Sequence, residues 1–220
     1  MVFTAALMRR HPSAFLLAAQ LLSLVLYPSM DDSDSGRLLF GAVGVVVAAL
    51  ALWVVNRSPS VNWIAWALAV PAVSLTVASF VFRQPEWIVL SAMFESALYF
   101  YVAGSLIAYM LQDHEVSSDE MFAAGATFTL IAWGFAYAFY VCQDWYPDSF
   151  VGLVDPGQPR SWMELLFLSF TTLSGVGIGD ILPLRAPARA LVMLEQFVGV
   201  GYIAALVSRL IGLTIHRPKR

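Results

Sequence analysis

The sequence predicts an all-α integral membrane protein with six transmembrane helices, and three observations lead there. Hydrophobic residues make up 60% of the 220-residue chain and charged residues only 12%, against about 45–50% and about 25% in soluble domains. Six stretches are long and apolar enough to cross a hydrocarbon core about 30 Å thick, a distance that takes about 20 helical residues. A seventh, residues 162–173, is too short to cross and reads as a re-entrant helix. An aromatic content of 14% with few charge runs excludes a disordered chain. The formal net charge of −3 gives no basic footprint, so no nucleic-acid partner is expected. The single cysteine, Cys142, excludes an internal disulfide framework and a thiolate metal cluster.

The predicted spans run over residues 12–28, 38–55, 61–82, 87–111, 121–142 and 187–213. The first follows Arg9 and Arg10 in the manner of a secretory signal. Tyr27-Pro28-Ser29-Met30 is no small-residue cleavage site, however, so this span is expected to be retained. Pro71 should kink or locally unwind the third. The fourth carries Glu95 about nine residues in, where a carboxyl pairs or faces water. With no basic residue in the middle of any span, hydrogen bonding to Ser or Tyr is the simplest account of Glu95. A pH- or cation-sensing role is the sharper one. The acidic stretch 112–120, with Asp113, Glu115, Asp119 and Glu120, reads as a solvated linker, divalent cation binding being the alternative.

Basic residues set the expected orientation. Arg9, Arg10, Arg57, Arg209, Arg217, Lys219 and Arg220 fall on one side, taken as the cytoplasm. Arg37, Arg83, Arg160, Arg185 and Arg189 fall on the other. The expected setting is therefore the cell (inner or plasma) membrane, multi-pass, with both termini cytoplasmic. Tyr27, Trp53, Trp87, Trp145 and Tyr146 lie near span ends, where interfacial aromatics belong.

The most informative stretch is Thr172-Leu173-Ser174-Gly175-Val176-Gly177-Ile178-Gly179-Asp180-Ile181-Leu182-Pro183. Glycine reaches positive φ without steric cost. Alternating hands can then turn successive carbonyls to one side, where an ordinary strand points them to opposite sides. Irregular backbone at membrane depth is tolerated only when buried in protein or lining water. A row of carbonyls facing a pore replaces the hydration shell of a cation.

This segment resembles the pore signature of the potassium channel superfamily, T-V-G-Y-G usually followed by aspartate. The chain is similar to the small bacterial ion-channel family, two-pore-domain potassium-channel-like, here with an atypical Gly175-Val176-Gly177-Ile178-Gly179-Asp180 filter. The likeness runs from about Ser161 to Leu213 and includes Asp180-Ile181-Leu182-Pro183, Glu195 and Leu210-Ile211-Gly212-Leu213. It implies a pore helix and filter between the last two spans, and a homotetramer around one axis. Residues 1–116 would form a four-helix transmembrane scaffold and 117–220 the pore domain.

The resemblance assigns ion binding to Ser174, Gly175, Val176, Gly177, Ile178 and Gly179, with potassium passing the carbonyls of Gly175, Val176, Gly177 and Ile178. Asp180 would stand at the outer mouth, either enriching cations or anchoring the filter locally. Thr171, Thr172 and Glu195 would support the filter. Gly199 and Gly201 are hinge candidates for the last helix, with close helix packing as the equal alternative. Two positions depart from the family pattern: Gly175 replaces the usual threonine and Ile178 the usual tyrosine. The main-chain oxygens survive both changes, but the innermost site then rests on the Ser174 hydroxyl or is lost.

The expected function is passive conduction of monovalent cations, potassium first and sodium second, across the lipid bilayer, with no cofactor beyond the ions. A non-selective cation channel and a non-conducting regulatory pore-like subunit are the alternatives. The fourth span holds no Arg or Lys, which excludes an arginine-based voltage sensor. An enzyme is not expected: His11, His114 and His216 all sit at predicted span ends, and no G-x-S-x-G elbow occurs. A transporter would show two related halves with interrupted helices, whereas only one break is visible here.

Overall fold

Each predicted apolar stretch folds as a helix in the computed structural model, which describes residues 11–26, 34–55, 61–82, 85–112 and 118–215. The helices are α1 (Pro12–Leu26), α2 (Asp34–Val55), α3 (Asn62–Phe82), α4 (Pro85–Met110), α5 (Ser118–Trp145), α6 (Trp162–Leu173) and α7 (Ala186–Ile215). Two three-residue strands interrupt the otherwise helical chain, β1 (Phe150–Gly152) and β2 (Ile181–Pro183). Among the described residues, α3, α4, α5 and α7 are long and apolar enough to cross a membrane. The chain is an all-helical membrane protein in that sense, with α1 at 15 residues and the 44–55 part of α2 falling short of the same length.

The centre of the bundle is α5, 67% of whose apolar window is buried, against 17% for α7. Along α5 lies α4, where the Ser96 hydroxyl donates to the Gly134 carbonyl at 2.9 Å and Phe100 meets Phe135 edge-on at 4.9 Å. Direct hydrogen bonds of this kind hold membrane helices together, because lipid offers an exposed polar group no partner. On another face sits α1, where Thr129 donates to the buried Gln20 amide oxygen at 2.7 Å. A single apolar core runs from Leu16 on α1 to Val192 on α7. Helices on both sides of residue 116 therefore share it.

Several local expectations are corrected. Helix α3 runs unbroken through Pro71, so no unwinding occurs there. Asp119 and Glu120 are buried rather than solvated. Asp119 accepts from the Ser13 amide at 3.1 Å and its hydroxyl at 2.9 Å, while Glu120 pairs with Arg209 at 3.2 Å. Both acids sit in the first turn of α5, where the helix dipole favours negative charge. The antiparallel β1–β2 ladder, absent from the all-α expectation, pairs Phe150 with Pro183, Val151 with Leu182 and Gly152 with Ile181.

Arg9, Arg10, Tyr27, Arg57, Arg83, Asp113, His114, Glu115, His216, Arg217, Lys219 and Arg220, on which much of the orientation and the acidic linker rest, lie outside the described residues.

Candidate functional site

Helix α6 starts where its sequence says it should. Ser161 is its N-cap, accepting from the Glu164 amide, while the Glu164 carboxylate accepts from the Ser161 amide at 2.7 Å. This reciprocal box satisfies two donors that every helix start leaves open. Beside it stands Arg160, only 4% exposed. Its guanidinium donates to the carbonyls of Val154 (2.9 Å), Asp155 (2.5 Å) and Gln158, and to Glu164 at 3.0 Å. Gln143 on α5 grips the Arg160 main chain from both sides, at 2.9 and 2.7 Å. A five-donor fork is the side chain suited to gathering several carbonyls at once. Loop 153–160, the start of α6 and the end of α5 are thereby fixed together.

The flanks of α6 are held as firmly. Trp162 meets Trp133 edge-on at 5.5 Å and Tyr137 at 5.3 Å, and Tyr99 of α4 stacks on Tyr137 at 5.7 Å. Ring pairs in these geometries contribute about 0.5–1.5 kcal/mol each beyond their buried area. On the other side Glu195 of α7, fully buried, is hydrogen-bonded through Oε1 to the Ser169 hydroxyl of α6, which also reaches the Ala132 carbonyl at 2.8 Å. Close to the end of α6, Gly199 of α7 lies so near Leu173 that an added Cβ would stand 2.8 Å from its carbonyl carbon and 2.9 Å from its Cα.

After Leu173 the backbone changes hand. Ser174 keeps helical angles (φ −75°, ψ −12°), then Gly175 turns to φ +74° and Gly177 to φ +65°. Among the described non-glycine residues only Asp148 and Asp155 have positive φ, so Val176 and Ile178 take the ordinary hand. Gly179 does too, which limits the expected three-glycine alternation to two. The Thr171 carbonyl accepts from the Gly177 amide at 2.9 Å and the Ser174 hydroxyl at 3.3 Å, and the Thr172 carbonyl accepts from the Gly175 amide at 3.1 Å. Thr171 and Thr172 are buried, while residues 174–179 are exposed. Val176 is 65% and Ile178 55% exposed. The far end is tied down by the ladder, extended by bonds from Leu153 to the Asp180 carbonyl (3.0 Å) and from Leu184 to the Ser149 carbonyl (2.8 Å).

A buried short helix, a glycine turn of alternating hand and a long apolar helix thus form one unit, and that unit lies within the stretch of residues 72–215 that a family model described as "Ion channel" matches. The chain belongs to the ion channel family. No curated protein and no solved structure matches it. The channel's matched stretch begins within α3 and takes in α4 to α7, leaving α1 and α2 outside.

Of the residues singled out from the sequence, Thr171 and Thr172 contact the glycine turn directly, both through main-chain oxygens. Glu195 does not; it reaches α6 one turn earlier, at Ser169. Gly199 is a close-packing position, whereas Gly201 has nothing within 4 Å of where a Cβ would stand. Asp180 has one carboxyl oxygen buried without a hydrogen-bond partner among the described residues, so no local anchor is seen on that atom. Glu95 lies far from this unit in the sequence and accepts from Thr76 at 3.0 Å and Ser91 at 3.3 Å, with Tyr137 also hydrogen-bonded to it. The Ser and Tyr partners match expectation; Thr76 on α3 does not follow from periodicity.

Sequence reasoning missed Arg160 and Ser169. Arg160 left a readable signal, since it directly precedes the Ser161-x-x-Glu164 box and follows the Asp155-Pro156-Gly157 turn. Ser169 left none beyond being a hydroxyl in an apolar helix. Replacing Glu195 with alanine should leave Ser169 without that partner and cost about 1–3 kcal/mol. Glu195→Gln, which keeps shape and one hydrogen bond, should cost much less. Thermal unfolding of the detergent-purified protein measures both; equal losses would remove the hydrogen bond as the cause.

Proposed function

We propose that this chain forms a passive monovalent cation channel, potassium-conducting, with four copies arranged around one axis. The observation that carries the reading is the alternation of hand at Gly175 and Gly177 directly after a short, largely buried helix. In a ring of copies, the carbonyls of Gly175, Val176, Gly177 and Ile178 take the place of water around a dehydrated ion. The α6 helix ends at Leu173, and its negative dipole end favours a cation beyond it by about 0.3–1 kcal/mol per copy at low ionic strength. Four Asp180 carboxyls at the outer mouth raise the local cation concentration.

The exposed face of α7 supports assembly. Phe197 is 79%, Val200 64%, Met193 61% and Leu194 57% exposed on one copy. A helix this apolar and this uncovered lines a pore, meets neighbouring copies or faces lipid along its length. Closed cyclic symmetry is an ordinary solution for such an assembly. Six crossings, both termini cytoplasmic in the cell membrane, complete the arrangement, with α1 to α4 as a scaffold.

Reconstitution in liposomes with opposed potassium and sodium gradients tests this reading. The expected reversal potential follows potassium. A reversal near zero would point instead to a non-selective cation path, consistent with the loss of a hydroxyl at Gly175. Absence of any current in folded, reconstituted protein would contradict conduction altogether.

A further inference from the structure

A second site lies where α2, α3 and α4 meet α5 and the start of α6, and no residue of the glycine turn lines it. Helices α2, α3, α4, α5 and the start of α6 enclose a cavity of about 200 Å³. An apolar cavity of about 150 Å³ admits benzene, so a small aromatic ligand with a short polar arm fits this one. Glu95 lines it together with Tyr99, Tyr137, Tyr140 and Trp162. No Lys, Arg or His is among the described residues that line it. The carboxyl is held in place by hydroxyls from three helices: Thr76 of α3, Ser91 of α4 and Tyr137 of α5. Val45 and Ile88, which also line the cavity, are partly exposed, so the cavity is not sealed.

We infer that this cavity is a binding site for a small lipophilic amine, with its ammonium on Glu95 and its apolar body among the rings. An acid in an apolar enclosure without a counter-charge stays protonated, and this chain supplies no counter-charge along the cavity wall, so the carboxyl has a proton to give to an entering amine. Transfer of that proton to the amine nitrogen forms a carboxylate–ammonium pair, each charge supplying the other's counter-charge. Tyrosine and tryptophan faces attract the same cation when it lies within about 6 Å of a ring centroid. Apart from the hydroxyls of Thr76, Ser79 and Ser91 the remainder of the lining is apolar, which favours an occupant with an apolar body over a hydrated inorganic ion. Trp162 and Tyr137 both line the cavity and brace the re-entrant helix, so an occupant touches the structure that positions the glycine turn. The site does not depend on conduction and stands or falls separately.

Titration calorimetry of the detergent-purified full chain tests it, with benzylammonium and the isosteric neutral probe benzyl alcohol. Benzylammonium should bind saturably and at least tenfold more tightly than benzyl alcohol. Glu95→Gln should remove that preference. Gly44→Leu leaves Glu95 intact and places a side chain at a lining position whose Cβ direction is open, and it should weaken binding of both probes at least tenfold. Equal affinity for the two probes in the unmodified protein would overturn the proposal. So would a benzylammonium preference that persists in Glu95→Gln. Should Glu95→Gln fail to fold, undiminished benzylammonium binding in Gly44→Leu would place the amine elsewhere and overturn it equally.

Discussion

Gly177→Ala is expected to reduce cation current in reconstituted liposomes to background while the protein stays folded. Gly177 holds φ +65°, a region that costs an L-residue with a Cβ roughly 1–2 kcal/mol. Nothing lies within 4 Å of the added methyl, so the effect comes from backbone conformation rather than a clash. Its amide is bonded to the Thr171 carbonyl at 2.9 Å, and a peptide that relaxes to the ordinary hand breaks that bond and swings its oxygen away. In a fourfold ring the penalty recurs in every copy. Gly179→Ala is the matched control. Gly179 has no positive φ, and its added methyl would meet only Leu182 Cδ2 at 3.6 Å, an ordinary contact. It should therefore retain most of the current. Unchanged conductance in Gly177→Ala would remove the alternating backbone from the conduction path.

Gly199→Val should be the most damaging single change outside the glycine turn. Even one methyl at 199 would stand 2.8 Å from the Leu173 carbonyl carbon and 2.9 Å from its Cα, and main chain cannot rotate out of the way as a side chain can. Either α7 or the end of α6 must shift, and overpacking of this kind costs about 1–3 kcal/mol per copy or more. Because Leu173 directly precedes the turn, the displacement is passed to Ser174 and Gly175. Melting temperature and current should fall together. Gly201→Ala, two residues further along the same helix with open space at its Cβ, should leave the melting temperature unchanged. A melting temperature for Gly199→Val equal to that of the unmodified protein would mean that α6 and α7 do not meet there.

The helices were legible because their signal is one of length. An apolar run of about 20 residues has few alternatives in lipid, and the 12-residue run at 162–173 declared itself by being too short. The glycine turn was legible because Gly175 and Gly177 are the residues that reach positive φ freely. What escaped were contacts between parts distant in sequence. Ser169 and Glu195 are 26 residues apart and Gly199 and Leu173 a similar distance, and no periodicity links them. The two strands, three residues each, are too short for an alternating pattern to register. Arg160 escaped because the groups it gathers are mostly main-chain carbonyls, which every residue carries. Asp119 and Glu120 misled for a related reason: in sequence they continue an acidic run, and only the fold brings Ser13 and Arg209 to them.

Thallium-soaked density of the purified assembly reads the central proposition most directly. A row of cation peaks on a fourfold axis, each ringed by main-chain oxygens of Gly175 to Ile178 from four copies, is the result expected. Residues 175–178 facing lipid, or folded into a single copy with no cation beside them, would contradict it.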